Sequence, residues 1–321
     1  MPAGRSARDG LMAELGSPAA LPDEPAMSRV SVPEADRQIG VKHPVLSHGF
    51  VALVDYMGND AAIVQAARVS YGQGTKTVRD DRGLIRYLMR HRHTTPFEMV
   101  EYKFLVRLPI FVARQFIRHR TASVNEFSGR YSIMPDEYEI PAPEEVRHQS
   151  TRNRQGREGA LPPEIVERFR SDLDAVSKSA YDAYTRALEA GVARETARLV
   201  LPLAYYTEWY WKCDLHNLLH FLSLRLDPHA QEEIRLYAAE MAKLGRIVCP
   251  IAFEAFEEFQ IEGLTLSRRE RVAMRALLEG KSVPDACAIA GLPLAREDGK
   301  PMKTGEGVEF VEKLERLRGP D

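Results

Sequence analysis

The sequence predicts a mixed α/β chain, and three observations carry that expectation. Residues 100–108 alternate apolar Val100, Tyr102, Phe104, Val106 and Leu108 with Glu101, Lys103 and Arg107, which is the period of a strand with one buried face. Residues 204–212 form a second, aromatic strand whose side chains suit a pleated, half-buried surface. Around them lie segments with apolar residues at helical spacing, the longest over 163–191.

Taken in order, residues 1–45 are rich in Pro, Ala, Ser, Asp and Arg without periodicity and read as a poorly ordered leader. Residues 48–56 make a first strand, and 59–69 a helix with Asn59 or Asp60 as its N-cap. An amphipathic helix over 81–91 carries Leu84, Ile85, Leu88 and Met89. Pro109 ends the strand at 100–108 and suits the first turn of a helix over 110–117. On that helix Arg114 and Arg118 share a face, with Gln115 three residues from Arg118. Residues 134–161 read as a long loop, mobile between 147 and 159. Pro162 and Pro163 start the long helix and Gly191 ends it. A short helix over 194–201 precedes the aromatic strand, and helices over 214–222, 229–248 and 251–259 follow it. In 229–248, Ile234, Tyr237, Met241 and Leu244 point inward.

At 321 residues the chain can bury a large core, and its formal net charge of −2 gives no general attraction to nucleic acid. No apolar run approaches the ~20 residues that span a bilayer, and no signal-peptide core opens the chain, so a cytoplasmic location and no membrane partner are expected. Three widely spaced cysteines, Cys213, Cys249 and Cys287, argue against a disulfide framework, and none lies where a thiolate nucleophile would be placed.

The densest chemistry lies in Arg118-His119-Arg120-Thr121-Ala122-Ser123-Val124-Asn125-Glu126-Phe127-Ser128, continued by Gly129 and Arg130. Guanidinium forks match phosphate oxygens two at a time, so a small anion is a natural occupant, with a solvated basic loop as the alternative. Its position just after a strand-helix unit favours the binding site.

This run resembles the RHR-x7-S signature of the flavin-dependent thymidylate synthases. Residues 91–98, His-Arg-His-Thr-Thr-Pro-Phe-Glu, are similar to that family's H-x-H-x-[ST]-P-F-E block, and residues 197–203 and 222–234 supply two more blocks in the family's order. The resemblance covers about 48–260. It implies a largely antiparallel sheet flanked by helices and a homotetramer with sites between subunits. It also implies reductive methylation of dUMP to dTMP, with 5,10-methylenetetrahydrofolate as carbon donor and NADPH reducing FAD.

By the same resemblance Gln115, Arg118, Glu126, Phe127, Ser128, Gly129, Arg130, Arg198 and Arg225 line the dUMP site. Thr95, Arg118, His119, Arg120, Glu126, Asp214, Leu215, His216 and His220 line the FAD site, with His93 beside the flavin. Arg225 is the expected electrostatic catalyst and Ser128 a positioning hydroxyl rather than a nucleophile, because no general base stands in an obvious relation to it. A loop-stabilising Ser128 and structural ion pairs for Arg198 and Arg225 are the alternatives. An unpaired Arg198 in its apolar run would be costly if buried. Asp214-Leu215-His216 replaces an Asn-x-Arg pattern of the family, His220 stands where Asn often does, and Met99 replaces a frequent His. His91 and His93 as metal ligands lack a completing Asp, Glu or Cys, so no metal is expected. There is no G-x-G-x-x-G for a Rossmann flavin site.

Domain organisation follows as a leader over 1–45, a catalytic domain over 46–262 and a helical extension over 263–321. The extension vaguely resembles the first two helices of a helix-turn-helix, though Leu292-Pro293-Leu294-Ala295-Arg296-Glu297-Asp298-Gly299-Lys300 is no recognition helix. A nucleotide-binding regulator whose tail contacts DNA is therefore the second hypothesis, and a packing or assembly module the plainer account of the tail.

Overall fold

A computed structural model describes residues 29–69, 81–151 and 156–319. The chain divides into Met1–Ser31 and Val32–Asp321, and the second unit is described below.

Its centre is a five-stranded antiparallel sheet. β1 (His43–Val45) and β2 (Gly49–Met57) lead to the helices α1 (Asp60–Val69) and α2 (Asp81–Arg90). β3 (Glu101–Pro109) runs into α3 (Ile110–Phe116), and β4 (Ser123–Glu126) follows. A two-stranded ribbon, β5 (Arg147–Gln149) with β6 (Arg157–Ala160), precedes the long α4 (Pro163–Glu189). After the short α5 (Arg194–Ala197), β7 (Tyr206–Asp214) inserts between β3 and β4, so the order is β1-β2-β3-β7-β4. α6 (Leu215–Arg225), α7 (Glu232–Val248) and α8 (Pro250–Phe256) complete the main body.

The alternation seen in the sequence sets the core. In β3 and β7, Phe104 pairs with Trp211 and Val106 with Trp209, and all four side chains are buried. Phe116 of α3 and Phe221 of α6 close on Trp211 at ring distances of 5.8 and 5.4 Å. Each such side chain is worth roughly 1.5–3 kcal/mol of burial, and together they hold α3 and α6 against one sheet face. β2 reaches α7 through Gly49, where an added Cβ would lie 2.0 Å from the Tyr237 hydroxyl.

Several expectations are corrected. Residues 32–45 are built into the fold, whereas residues 1–28 lie outside the described residues. Tyr56 Oη accepts from the Val32 N–H and donates to Asp36, both at 2.6 Å, and Ala35 is fully buried, so a local apolar anchor overrides a polar composition. The segment over 147–159, expected to be mobile, contains the β5–β6 ribbon; residues 152–155 lie outside the described residues. Arg157 ties the ribbon to Glu232 and Glu233 at 3.3 and 3.1 Å. Asn59 caps α1 through the Ala61 N–H, while Asp60 instead accepts from Ile251 and Ala252 and caps α8. The helix expected over 251–259 ends at Phe256, and Glu257–Ile261 is a π-helical turn. β4 has no counterpart among the expected strands, since Ser-Val-Asn-Glu is too short and polar to signal one.

The extension forms α9 (Arg268–Leu278), α10 (Val283–Ala290) and α11 (Glu306–Arg318) around its own small cluster of Ala273, Ala276, Ala286, Cys287, Leu292 and Phe310. Ser267 caps α9, and Lys313 reaches the buried Glu270 at 2.7 Å. The third helix lies beyond the non-helical 292–302 and carries four Glu against three basic residues, a poor match for a phosphate backbone. Among the described residues no helix is long and apolar enough to cross a membrane.

Candidate active site

The predicted residues fall into three neighbourhoods. The first joins the end of α3 to the last turn of α6. Arg225 Nη2 approaches the Gln115 carbonyl oxygen at 3.5 Å, while Arg225 Nε and Gln115 Oε1 are buried without a protein partner. Burial pulls the Arg225 guanidinium below its usual pKa. A donor and an acceptor left bare cost about 1–3 kcal/mol each. Arg118 and Arg120 flank this region with exposed side chains.

His119, between them, does not join the donors. It is 7% exposed and packs on Trp211, Phe221 and His220 at 5.9, 5.5 and 5.4 Å. Burial, with help from His220 and Arg225, pushes its pKa down to about 4, so it is neutral near pH 7. Its Nε2 lies 2.9 Å from Thr121 Oγ1.

The second neighbourhood is the turn after β4. Glu126 accepts from Thr207 Oγ1 at 2.7 Å, and the Phe127 N–H donates to Glu208 O at 2.8 Å, so β7 holds both. The Ser128 carbonyl then accepts from Tyr131 and Ser132, and Ser128 Oγ accepts from the Arg130 N–H at 3.3 Å. Gly129 lets a second segment approach: an added Cβ would lie 2.9 Å from Met134 Sδ and 3.3 Å from Arg198 Cδ. The turn carrying Arg130 and the segment carrying Arg198 therefore lie side by side, and Arg130 Nε sits 3.4 Å from Glu195. Both arginines are exposed. Arg198 avoids the cost of an unpaired charge in its apolar run, because its 3-10 turn, Arg198–Val200, faces outward with Leu199 77% exposed.

The third neighbourhood is a cavity of about 490 Å³ containing His93, His216 and His220. Arg90, Arg92, Phe259 and Gln260 line it too, and no acidic side chain does. Sequence reasoning missed these four. The Arg90-His91-Arg92-His93 run was the available signal for two, while Phe259 and Gln260 arrive through the π-helical turn. Arg92 closes α2 at φ +58°, where the His93 N–H donates to Leu88 O. Thr95, exposed, opens the 3-10 turn Thr95–Met99 beside the cavity wall formed by Thr94 and Phe97. Leu88, Met89 and Leu219 supply apolar wall, so the donor set fits a planar ring system with phosphates.

Two residues expected at FAD are committed to the fold. Both carboxylate oxygens of Asp214 bind Asn217, capping α6. Leu215 is fully buried and its N–H donates to Val100 O. Among the described residues no group of three His, Cys, Asp or Glu stands ready for a metal ion. All three thiols are buried, and burial raises the pKa of each.

Fold and site thus bring arginines and neutral polar groups together on an antiparallel sheet flanked by helices. The family profile described as "Thymidylate synthase complementing protein" matches residues 52–251. A flavin-dependent thymidylate synthase of Thermus thermophilus is 55% identical over 277 residues, covering 86% of this chain and 96% of the relative. That of Rickettsia bellii is 49% identical over 271 residues, covering 80% and 92%. Among solved structures, a UMP/dUMP methylase, PolB from Streptomyces cacaoi, bound with 5-Br dUMP, has TM-score 0.61 and 36% identity, covering 68% of this chain and 98% of that one. The chain belongs to the flavin-dependent thymidylate synthase family. It is therefore an enzyme, a flavoprotein methyltransferase of dTMP biosynthesis, in a family that uses FAD, NADPH and methylenetetrahydrofolate.

Proposed function

We propose that this chain carries out the reductive methylation of dUMP to dTMP, and that the bare Arg225 Nε and Gln115 Oε1 mark where the pyrimidine lies. A pyrimidine ring offers carbonyl acceptors and an N–H donor, the complement of that pair. As charge develops on the ring, Arg225 stabilises it from a partly desolvated position, where a fixed cation acts most strongly. Arg130 and Arg198, exposed and on adjacent segments, take the 5′-phosphate with Arg118 beside them. Ser128 positions the substrate, and Phe127 and Glu126 hold the ring end of the turn against β7.

Thr95, Arg118, Arg120, Glu126, His216 and His220 would hold FAD, with His93 at the flavin and His119 packing behind His220. Bound FAD, reduced by NADPH, supplies the hydride that turns the one-carbon unit from methylenetetrahydrofolate into a methyl group. Arg225 binds the substrate, Arg90 and Arg92 draw anions to the cavity, and the apolar wall excludes water. No thiolate takes part, since the thiols stay protonated.

The working unit is a homotetramer, cytoplasmic, with residues 46–262 catalytic and 263–321 an accessory extension. Tyr131, Ile133, Leu199 and Leu203, all more than half exposed, border the Ser128–Arg198 region and favour a subunit contact there. Release of tritium from C5-labelled dUMP tests the reaction. It should require both methylenetetrahydrofolate and FAD, and a protein that stays colourless in excess FAD would remove this reading.

A further inference from the structure

A second cavity, of about 540 Å³, lies between the β5–β6 ribbon, α3, the first turns of α4 and the start of α7. None of the residues assigned to dUMP or FAD lines it. Phe111, Leu161, Ile165, Phe169 and Leu173 give it an apolar wall. Ile165 and Phe169 each remain 48% exposed, so surface that would gain by being covered is open.

Several of the polar groups are engaged within the fold. Glu139 accepts from the Ser47 N–H, the Ser47 hydroxyl and the Tyr206 hydroxyl. Glu145 accepts from the Ala142 N–H, and Arg147 Nε donates to Glu144 O. Arg157 donates to Glu145 O and to Glu233 Oε1. Glu233 Oε2 is buried without a partner, on a residue only 8% exposed. A buried carboxylate oxygen with no donor is among the most costly groups to leave bare. The lining also carries three carboxylates against two guanidiniums, so its balance is negative.

We infer that this cavity is a binding site for a small aryl-alkyl amine, its ammonium donating to Glu233 Oε2 and its ring covered by Phe111, Ile165 and Phe169. The volume falls in the range of ordinary small-molecule sites. An anion would meet Glu233 and an alcohol would bring no charge, so the amine should bind best.

Calorimetric titration of the full-length protein with 4-phenylbutylamine, 4-phenylbutanol and 4-phenylbutyrate tests this. The amine should bind roughly tenfold or more tightly than the alcohol, and the acid should give no heat. Glu233→Gln should abolish the preference for the amine over the alcohol. Phe169→Ala, which removes a half-exposed ring and leaves the fold intact, should weaken amine and alcohol alike. Both variants should keep dUMP-dependent tritium release. Equal binding of amine and acid, an unchanged amine preference in Glu233→Gln, or no heat from any probe would each overturn the proposal.

Discussion

Arg225 and Arg198 put the same guanidinium in opposite surroundings. Arg225 ends a helix packed on the sheet, half-buried, with Nε bare and its charge disfavoured by burial. Arg198 lies on an outward-facing turn, exposed, with its Cδ close to Gly129. The difference teaches a division of labour. On the proposed function, the exposed arginine would hold the phosphate and govern affinity, whereas the partly desolvated one would act on charge that appears during the reaction and govern rate.

The sharpest way to break that comparison is Arg225→Lys. A point charge cannot reproduce the planar fork, so turnover at saturating dUMP should fall by about 100-fold or more while the melting temperature stays near wild type. Full turnover would take Arg225 out of its role. Arg198→Ala and Arg130→Ala should act differently, raising the dUMP dissociation constant by roughly 10- to 100-fold with a smaller effect on turnover, and increasingly so as salt is lowered. A rate defect without an affinity defect would erase the distinction.

His119 sharpens the buried side of the contrast. The unfolded chain takes up a proton near pH 6.5 that the folded chain refuses until about pH 4, so the native state loses stability as pH falls through that window. Urea melts at pH 7 and pH 5 should differ by on the order of 2 kcal/mol more in the wild type than in His119→Gln. Equal slopes would mean that the imidazole is not desolvated as the packing indicates. The smallest effect is expected at Ser128→Ala. Because Ser128 Oγ accepts from its own turn, the variant should keep measurable turnover with dUMP affinity reduced by about tenfold or less. Complete loss of turnover with affinity intact would make the hydroxyl a reactant.

Much of this is legible in the chain. The period-two pattern of 100–108 and the aromatic run before Asp214 place the two central strands, and the run from Arg118 to Arg130 marks the donors. The departures have physical causes. His119 counts as a donor in the sequence because its neighbours are arginines, yet just after α3 its ring packs into the core against Trp211. Asp214 suits a cofactor by its place in the motif, yet a free helix N-terminus lies next to it. Asp60 has the position of a local cap, but α8, 191 residues later, presents N–H groups to it. Phe259 and Gln260 reach the histidine cavity through a π-helical turn that no local pattern announces.

The sequence by itself determined the long strands and helices and which residue types carry the chemistry, because periodicity and side-chain functionality are local properties. Only the tertiary structure decided which guanidinium is desolvated, which imidazole is neutral and which carboxylate is left without a donor. Those depend on what other, distant segments bring against each group, and desolvation is a property of the assembled surroundings rather than of the residue.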